Sequence, residues 1–223
     1  MSAKGKLARL FGNAFLQRGR IAQVDDVAPG FRRLVIESDA PKPTAGMKVQ
    51  ILLPSDDMRT YTPVASRQGI VLLCWKHASG PGTRWLSEVK TGEELQFMGP
   101  QRSLSLDPGP VILVGDETSI ATAASFEIER PQQVHGVFLV ESPDAAREAA
   151  HAAGLSSVHV ATRDDNAGAV NAVVARQAEM PGAIVALTGG SSLVVAMRSA
   201  LRARGVRNLK TKTYWIAGKA GLD

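Results

Sequence analysis

The sequence predicts two domains, a small antiparallel β-barrel followed by an α/β domain built on a parallel sheet. Between residues 20 and 107, short apolar runs are separated by turns rich in Pro, Gly, Asp and Ser, which is typical of closely spaced antiparallel strands. After residue 110, apolar runs alternate with stretches of helical composition, which favours parallel strands joined by crossover helices. The breakers Asp107-Pro108-Gly109-Pro110 mark the predicted boundary.

Each domain has its own series of expected elements. Five segments of the first domain suit strands, at 21–24, 33–37, 48–53, 69–75 and 94–97. One helix is expected to begin after Gly82 and to run to Val89. The second domain has expected strands at 111–114, 136–140, 158–161, 183–187 and 213–216, and helices at 118–129, 144–153, 169–178 and 191–204. Its strands are almost continuously apolar, as in sheets that are buried on both faces.

Composition restricts the classes of function. The 223 residues can form two cores, and no apolar run reaches the roughly 18 to 20 residues of a membrane helix, so we expect no stable membrane insertion. Cys74 is the single cysteine, which excludes an intramolecular disulfide and a four-cysteine iron–sulfur cluster and fits a cytoplasmic protein. The four histidines lack metal-ligand spacing. A protein of this kind that moves electrons needs an organic cofactor.

The two ends of the chain are basic. Residues 1–17 are expected to form an N-terminal helix or arm, either a docking helix, which we favour, or a mitochondrial transit peptide. Residues 180–222 contain no Asp or Glu but seven cations, namely Arg198, Arg202, Arg204, Arg207, Lys210, Lys212 and Lys219. They form either a solvated helix face or a surface that attracts an anionic partner. No recognition motif accompanies them, so no nucleic-acid partner is expected.

The first motif is Arg59-Thr60-Tyr61-Thr62. An arginine can give a pyrophosphate two parallel charge-assisted hydrogen bonds. Tyr61 offers either a ring for the face of a flavin or a hydroxyl for phosphate, and the Thr62 hydroxyl could meet the flavin near N5. The alternative is a plain turn before Pro63, with Tyr61 in a barrel seam. The motif therefore predicts a flavin nucleotide site without establishing one.

The second motif is Gly80-Pro81-Gly82-Thr83, which precedes the expected helix. Glycines allow a phosphate to approach the backbone, and a helix N-terminus directs N–H groups and positive potential towards it. Thr83 is a hydroxyl donor or an N-cap. His77, three residues before Gly80, could meet the phosphates or the ribose. The alternatives are a turn without a ligand and a surface histidine.

These segments occur in one order with several others: Arg59–Thr62, His77, Gly80-Pro81, Trp85, Gly99-Pro100, Gly115–Thr118 and Tyr214-Trp215 with Gly218. The series resembles the siderophore-interacting protein family of FAD-dependent, NAD(P)H-linked ferric-chelate reductases, within the ferredoxin–NADP reductase superfamily. The resemblance covers about residues 18–219.

The resemblance implies a six-stranded FAD-binding barrel over residues 18–107 and an NAD(P)H-binding α/β domain over 108–223. It implies that Arg59, Tyr61 and Thr62 hold the flavin, with Tyr61 and Thr62 as the catalytic residues. The rest of the FAD site would be lined by His77, Gly80, Gly82 and Thr83.

The nicotinamide nucleotide is expected at the strand ends of the second domain. Gly115-Asp116-Glu117-Thr118 is not the dinucleotide fingerprint, and two carboxylates repel a pyrophosphate. We therefore expect Asp116, Glu117 and Thr118 to cap the helix or to meet the ribose and nicotinamide. Gly189-Gly190-Ser191-Ser192 suits nucleotide phosphate better. Arg163 follows the third strand, where related reductases hold the 2′-phosphate, which favours NADPH over NADH; a surface pair with Asp164 or Asp165 is the alternative.

The activity implied by the resemblance is reduction of ferric iron in a siderophore or another anionic chelate, with NAD(P)H as the hydride source, FAD as the cofactor and Fe(II) as the product. Two alternatives remain. The chain could be a flavin reductase component for a partner such as an oxygenase, with its basic face against an acidic protein. It could also be a non-catalytic binder of ferric siderophores. The sequence leaves open the chelate, the redox potential, the oligomeric state and whether Tyr214 or Trp215 stacks on the flavin.

Overall fold

The computed structural model describes residues 16–66, 69–77 and 80–219. The chain divides into two compact units, Met1–Ser103 and Leu104–Asp223. The helix or arm expected at the N-terminus falls almost wholly on residues 1–15, which lie outside the described ranges; Gln17 already belongs to the first strand.

The first unit is an antiparallel seven-stranded sheet that curls into an open barrel. Its strands are β1 Gln17–Ala28, β2 Phe31–Glu37, β3 Met47–Leu52, β4 Met58–Tyr61, β5 Pro63–Ser66, β6 Gly69–Trp75 and β7 Glu94–Arg102. The hydrogen-bonded order is β4-β3-β7-β1-β2-β6-β5. The predicted barrel class is confirmed, with seven strands rather than six.

The extra strand comes from the motif around Tyr61. The motif and the residues after it form two four-residue strands, β4 and β5, separated by Thr62 alone. These strands lie at the two opposite edges of the sheet order, β4 beside β3 and β5 beside β6. Pro63 has no N–H to donate, which suits the first residue of an edge strand. The ladder is therefore open where the predicted flavin motif lies.

An apolar core formed by several strands fills the interior of this unit. Alternate residues of β6 point inward, so Ile70, Leu72 and Cys74 are buried. Helix α1, Pro81–Glu88, adds Trp85 and Leu86 to the same core. The short helix is thereby fixed against the strands by its apolar face, since eight residues are too few for a stable isolated helix.

The second unit is a parallel five-stranded sheet with helices between its strands. The strands are β8 Val111–Gly115, β9 Val134–Val140, β10 Val158–Thr162, β11 Ile184–Gly190 and β12 Leu209–Trp215, in the order β10-β9-β8-β11-β12. The helices are α2 Ile120–Glu129, α3 Pro143–Ala152, α4 Asn166–Glu179 and α5 Ser191–Ala203. The predicted alternation of strand and helix is confirmed.

The strand order reverses next to β8. The chain moves outward from β8 to β9 and β10, and then crosses back to β11 on the other side of β8. Open α/β sheets bind ligands at such a switch point, outside the carboxyl ends of the strands. Asp116 follows β8 at this place, and Gly189 and Gly190 end β11. Among the described residues, no helix is long and apolar enough to cross a bilayer.

The core position of Cys74 gives a testable expectation. Its side chain is buried, and burial raises the pKa of the thiol. Because the thiolate is the reactive form, native protein should react with an aromatic disulfide reagent at least about 100-fold more slowly than unfolded protein. Comparable rates in buffer and in denaturant would show that Cys74 is accessible in the native state.

Candidate functional site

The open end of the barrel brings the first two motifs together. Arg59 and Tyr61 lie on β4, opposite Ile51 and Val49 of β3. Gly82, in the first turn of α1, faces both: a methyl group there would be in ordinary contact, 3.4 Å from the Tyr61 hydroxyl oxygen and 3.5 Å from Cγ of Arg59. A cation, a phenol and a helix N-terminus therefore converge, although about twenty residues separate them in sequence.

The N-terminus of α1 is open. Gly80 is the N-cap residue, no side chain of the described residues caps the helix, and Pro81 occupies the first turn. A methyl group at Gly80 would meet no atom of residues 16–66, 69–77 and 80–219 within 4 Å. The first N–H groups of a helix have no acceptor within it and carry positive potential. This end of the helix is suited to a phosphate group.

Of the two roles expected for Thr83, the structure shows a hydroxyl donor and not an N-cap. Its hydroxyl donates to the His77 carbonyl oxygen at 2.7 Å, and Gly80 is the N-cap residue. The bond fixes the backbone of His77 to the first turn of α1. The His77 ring in turn stacks on Trp75, with ring centroids 4.7 Å apart and planes 25° apart. Sequence reasoning placed His77 near the helix but missed Trp75.

Tyr61 lies against α1 with its hydroxyl beside Gly82 and its ring towards Trp85. The ring packs against the barrel core and lies 6.2 Å from the Trp85 ring at an angle of 46°. Burial raises the pKa of the phenol well above its ordinary value; Cys74 raises it further, and Arg59 opposes the change. Tyr61 therefore stays protonated at neutral pH and can donate a hydrogen bond.

Two groups on its own strand and turn orient Arg59. Its Nη1 donates to the Met58 carbonyl at 2.8 Å and lies 3.9 Å from a carboxylate oxygen of Asp57. The side chain is 28% exposed, so its charge remains available near the surface. Thr62, the second predicted catalytic residue, is half-buried in the one-residue gap between β4 and β5.

In the second unit, Asp116 is a buried carboxylate with several internal donors. One oxygen accepts from the Thr118 backbone and hydroxyl, and the other accepts from the Gly190 N–H and the Trp215 indole N–H, both at 2.8 Å. The residue is only 4% exposed. Of the two expected roles, the geometry supports capping. The carboxylate ties together the ends of β8, β11 and β12.

The two glycines that end β11 serve this packing. A methyl group at Gly189, where φ is +103°, would lie 2.6 Å from Asp116, and one at Gly190 would lie 2.6 Å from the Trp215 ring. Such contacts are far inside van der Waals distance. The absence of side chains here is thus explained by internal contacts, and the Gly190 N–H is already donated to Asp116. A phosphate-binding role for these glycines stays a prediction.

Glu117 binds Arg163, the arginine predicted to contact the 2′-phosphate of the nucleotide. Its carboxylate is buried and accepts from Arg163 Nη2 at 2.8 and 2.9 Å and from the Glu141 N–H at 2.7 Å. Arg163 therefore pairs with Glu117, where the sequence suggested Asp164 or Asp165. Asp165 instead caps α4 through the Gly168 N–H. The Arg163 side chain remains 46% exposed at the end of β10.

Both aromatic residues near the end of the chain are anchored at their polar atoms. The Tyr214 hydroxyl lies 2.9 Å from the hydroxyl of buried Thr122, and the Trp215 indole is held by Asp116. Because consecutive strand residues point to opposite faces, each ring has its own anchor. The sequence showed the two aromatic residues but not their hydrogen-bond partners, which lie 92 residues before Tyr214 and 99 residues before Trp215.

Three of the C-terminal cations lie away from this edge of the sheet, whereas Lys212 is paired in register with Thr188 and Lys219 follows the carboxyl end of β12. Helix α5 begins at the carboxyl end of β11 and ends at Ala203, and β12 starts only at Leu209. Arg202, Arg204 and Arg207 therefore lie at the amino edge of the sheet, opposite Gly190. Arg204 also donates to Asn171 of α4 at 2.8 Å. This basic surface does not adjoin the candidate nucleotide site.

Replacing Asp116 by Asn should loosen the junction of the three strands. The variant loses one acceptor oxygen and places an NH₂ group among donors, which should lower the free energy of unfolding by about 1–3 kcal/mol and shift tryptophan emission to longer wavelength. Denaturant titration measures the first effect. The control, Asp144→Asn, removes an almost fully exposed carboxylate and should change stability by less than about 0.5 kcal/mol. Equal effects of the two changes would contradict the assignment.

No protein-family model and no curated protein sequence matches the chain. Solved structures do. The siderophore-interacting protein SipS from Aeromonas hydrophila matches at a TM-score of 0.73, with 24% identity over 92% of this chain and 93% of that one. Cytochrome P450 reductase GcoB from Amycolatopsis matches at a TM-score of 0.69, with 20% identity over 89% of this chain and 69% of that one. Phthalate dioxygenase reductase matches at a TM-score of 0.71, with 16% identity over 91% of this chain and 69% of that one. The chain therefore has the ferredoxin reductase-like two-domain fold that these proteins share.

Proposed function

We propose that this protein is an FAD-dependent oxidoreductase that takes hydride from NAD(P)H and reduces ferric iron in a siderophore or another anionic chelate. One observation carries the proposal: Arg59 and Tyr61 meet the open N-terminus of α1 within a chain whose fold matches SipS along nearly the whole length of both. The match to SipS contributes the siderophore as the suggested substrate class.

The residues of the barrel opening fit FAD. The Arg59 guanidinium and the first N–H groups of α1 provide the donors and positive charge that a pyrophosphate needs. The neutral Tyr61 phenol adds a donor, and the space beside Gly80, where a methyl group would meet no described atom within 4 Å, leaves room for the cofactor backbone. When bound, a flavin supplies hydride acceptance and single-electron release. The protein's task is to bind and orient it, with Thr62 beside the reactive ring.

For the nucleotide, the proposal uses the carboxyl edge of the second sheet. Arg163 projects there with its guanidinium oriented by buried Glu117, so its position is fixed before any ligand arrives. An arginine held in this way can donate to a 2′-phosphate, which supports NADPH as the preferred donor. Asp116 contributes indirectly by fixing Trp215 and the end of β11.

Because the chain has one cysteine, its side chains cannot ligate a four-cysteine iron–sulfur cluster as the electron acceptor. The proposal therefore uses an acceptor that is a separate molecule. A ferric chelate satisfies this requirement directly. The cations near the end of α5 would attract an anionic chelate over long range through the summed field of the protein, rather than by direct contact with the nucleotide edge.

The second candidate is a reductase component that passes electrons to a partner protein. The likeness to GcoB and phthalate dioxygenase reductase favours it, since each covers about nine-tenths of this chain. The chain spans 69% of the length of each, so the remaining parts of those proteins have no counterpart in the match. The basic surface would then bind an acidic protein.

The defining experiment adds FAD to the purified protein, followed by NADPH without oxygen and then a ferric siderophore with a colour reagent for Fe(II). We expect a yellow protein whose absorption bleaches with NADPH and returns as Fe(II) appears. Bleaching without Fe(II) formation from any chelate would favour the partner-protein candidate. Siderophore binding without NADPH oxidation would indicate a non-catalytic binder, and failure to bind FAD would refute the proposal.

Arg59→Ala should weaken FAD binding by about 1.5–3 kcal/mol, which is roughly 10- to 150-fold, because charge-assisted hydrogen bonds to the pyrophosphate are lost. Fluorescence titration of FAD measures the change. Arg102→Ala, at an exposed arginine that ends β7, is the matched control and should retain wild-type affinity. Unchanged affinity in Arg59→Ala would place the cofactor elsewhere.

Arg163→Ala should raise the KM for NADPH about tenfold or more and change the KM for NADH less than about threefold, because only NADPH carries the 2′-phosphate. Initial rates with both donors provide the test. Arg147→Ala, which removes an exposed arginine on α3, should affect neither donor. A parallel rise for both nucleotides in Arg163→Ala would argue that the arginine acts only through its pair with Glu117.

A further inference from the structure

A largely buried arginine reaches from the second strand to the far end of helix α1. Arg32 lies on β2, and its side chain is only 16% exposed. Its Nη1 atom donates a hydrogen bond to the backbone carbonyl oxygen of Leu86, 54 residues later in the chain. Leu86 lies in the last turn of α1, and the first turn of the same helix borders the proposed pyrophosphate site. Arg32 therefore holds this helix at the end opposite to the site.

Helix α1 has no cation of its own at that end. Its last turn contains no basic residue, and its first turn contains no acidic residue. The last carbonyl groups of a helix lack donors within the helix and carry negative potential, which a cation stabilises. The Trp85 carbonyl accepts from the Val89 N–H at 2.8 Å, and the next carbonyl, that of Leu86, accepts from Arg32. The guanidinium thus supplies from another strand the charge that the negative end of α1 lacks.

This bond supplies a restraint that the apolar contacts of α1 do not. Trp85 and Leu86 bury their side chains in the barrel core. Hydrophobic contact is non-directional, so it holds the helix against the strands without defining one position along the helix axis. A hydrogen bond weakens steeply when its distance or its angle changes. The bond from Arg32 therefore sets the axial position of α1, and with it the position of the first N–H groups of the helix.

The adjacent strand orients Arg32 in turn. Its Nε atom lies 3.4 Å from a carboxylate oxygen of Asp26, which is opposite Arg32 on β1. The same oxygen lies 3.3 Å from Nζ of Lys76. Asp26 is more than half exposed, so water weakens its attraction for both cations. The bond to the carbonyl of buried Leu86 is therefore the stronger restraint on the helix.

We propose that Arg32 is a positioning residue of the flavin site, because its bond to Leu86 fixes where the N-terminus of α1 meets the cofactor pyrophosphate. The inference rests on the proposed function and extends it to a residue at the opposite end of the helix. N–H groups displaced by about 1 Å from phosphate oxygens would no longer lie within hydrogen-bond distance. Loss of Arg32 should therefore weaken FAD binding without removing any donor from the site.

The next residue on the same strand provides a matched control. Arg33 donates to Asp25 through Nε and Nη2 at 3.0 and 2.8 Å. Consecutive strand residues point to opposite faces, so this ion pair forms on the side of β2 away from Arg32. Replacing either arginine removes one positive charge and one ion pair from β2. The Arg32 change in addition removes the bond to α1.

The experiment titrates FAD by fluorescence into the wild type, Arg32→Ala and Arg33→Ala, at a temperature where circular dichroism shows each to be folded. Arg32→Ala should weaken FAD binding about 5- to 20-fold, because the N–H groups of α1 would bind the phosphates less well. Arg33→Ala should stay within about twofold of wild type. Unchanged affinity in Arg32→Ala, or equal weakening in the two variants, would overturn the positioning role.

A conservative pair of variants keeps the test valid if Arg32→Ala does not fold. Arg32→Lys keeps the charge and a donor but loses the planar guanidinium, so it should weaken FAD binding about threefold. Arg33→Lys makes the same change at the control position and should bind FAD as the wild type does. Equal affinities of the two lysine variants would overturn the positioning role.

Amide hydrogen exchange over residues 81–90 reports on the helix without FAD. Exchange there should be at least about fivefold faster in Arg32→Ala than in the wild type and unchanged in Arg33→Ala. Faster exchange together with wild-type FAD affinity would leave Arg32 a structural role alone and overturn the proposal. Wild-type protein that binds no FAD would instead refute the flavin function, and the positioning role with it.

Discussion

The candidate cofactor site depends on the position of the first turn of α1 beside β4. A methyl group at Gly82 would be in ordinary van der Waals contact with the Tyr61 hydroxyl and with Cγ of Arg59, so the helix end lies beside both side chains. The apolar residues Trp85 and Leu86 keep the helix there by joining the barrel core. The open ladder between β4 and β5 places Thr62 at the same rim. The Arg59 side chain and the N-terminus of α1 are thus brought together by ordinary hydrophobic packing.

In the second unit, two adjacent buried carboxylates position side chains at the edge of the sheet. Asp116 and Glu117 are both buried, and each holds a side chain that projects at the carboxyl edge of the sheet, Trp215 in one case and Arg163 in the other. A buried charge is tolerated only when donors compensate its lost hydration. Each of these carboxylates has several. These hydrogen bonds position Trp215 and Arg163 at the switch point of the sheet.

Most strands and helices could be predicted, because each has a local pattern of apolar residues along the sequence. Alternation in β6 and the unbroken apolar runs of β8 and β11 predicted the two kinds of sheet. The one strand pair that was missed, β4 and β5, is short and contains the polar residues of the cofactor motif, so its sequence resembles a turn. Arg59, Tyr61 and Gly82 were assigned to one site from residue chemistry. Trp75 was missed because its stacking on His77 leaves no periodic signal.

Periodicity and functional groups belong to the chain itself, so the sequence predicted every helix, every strand except β4 and β5, and the side chains that can carry cofactor chemistry. The partner of each polar group became known only from the folded structure. Arg163 pairs with Glu117, 46 residues away, rather than with its neighbour Asp165, and Asp116 binds Trp215 across 99 residues. A parallel sheet brings the carboxyl ends of distant strands together, and a buried carboxylate is stable there only if neighbouring groups donate hydrogen bonds to it.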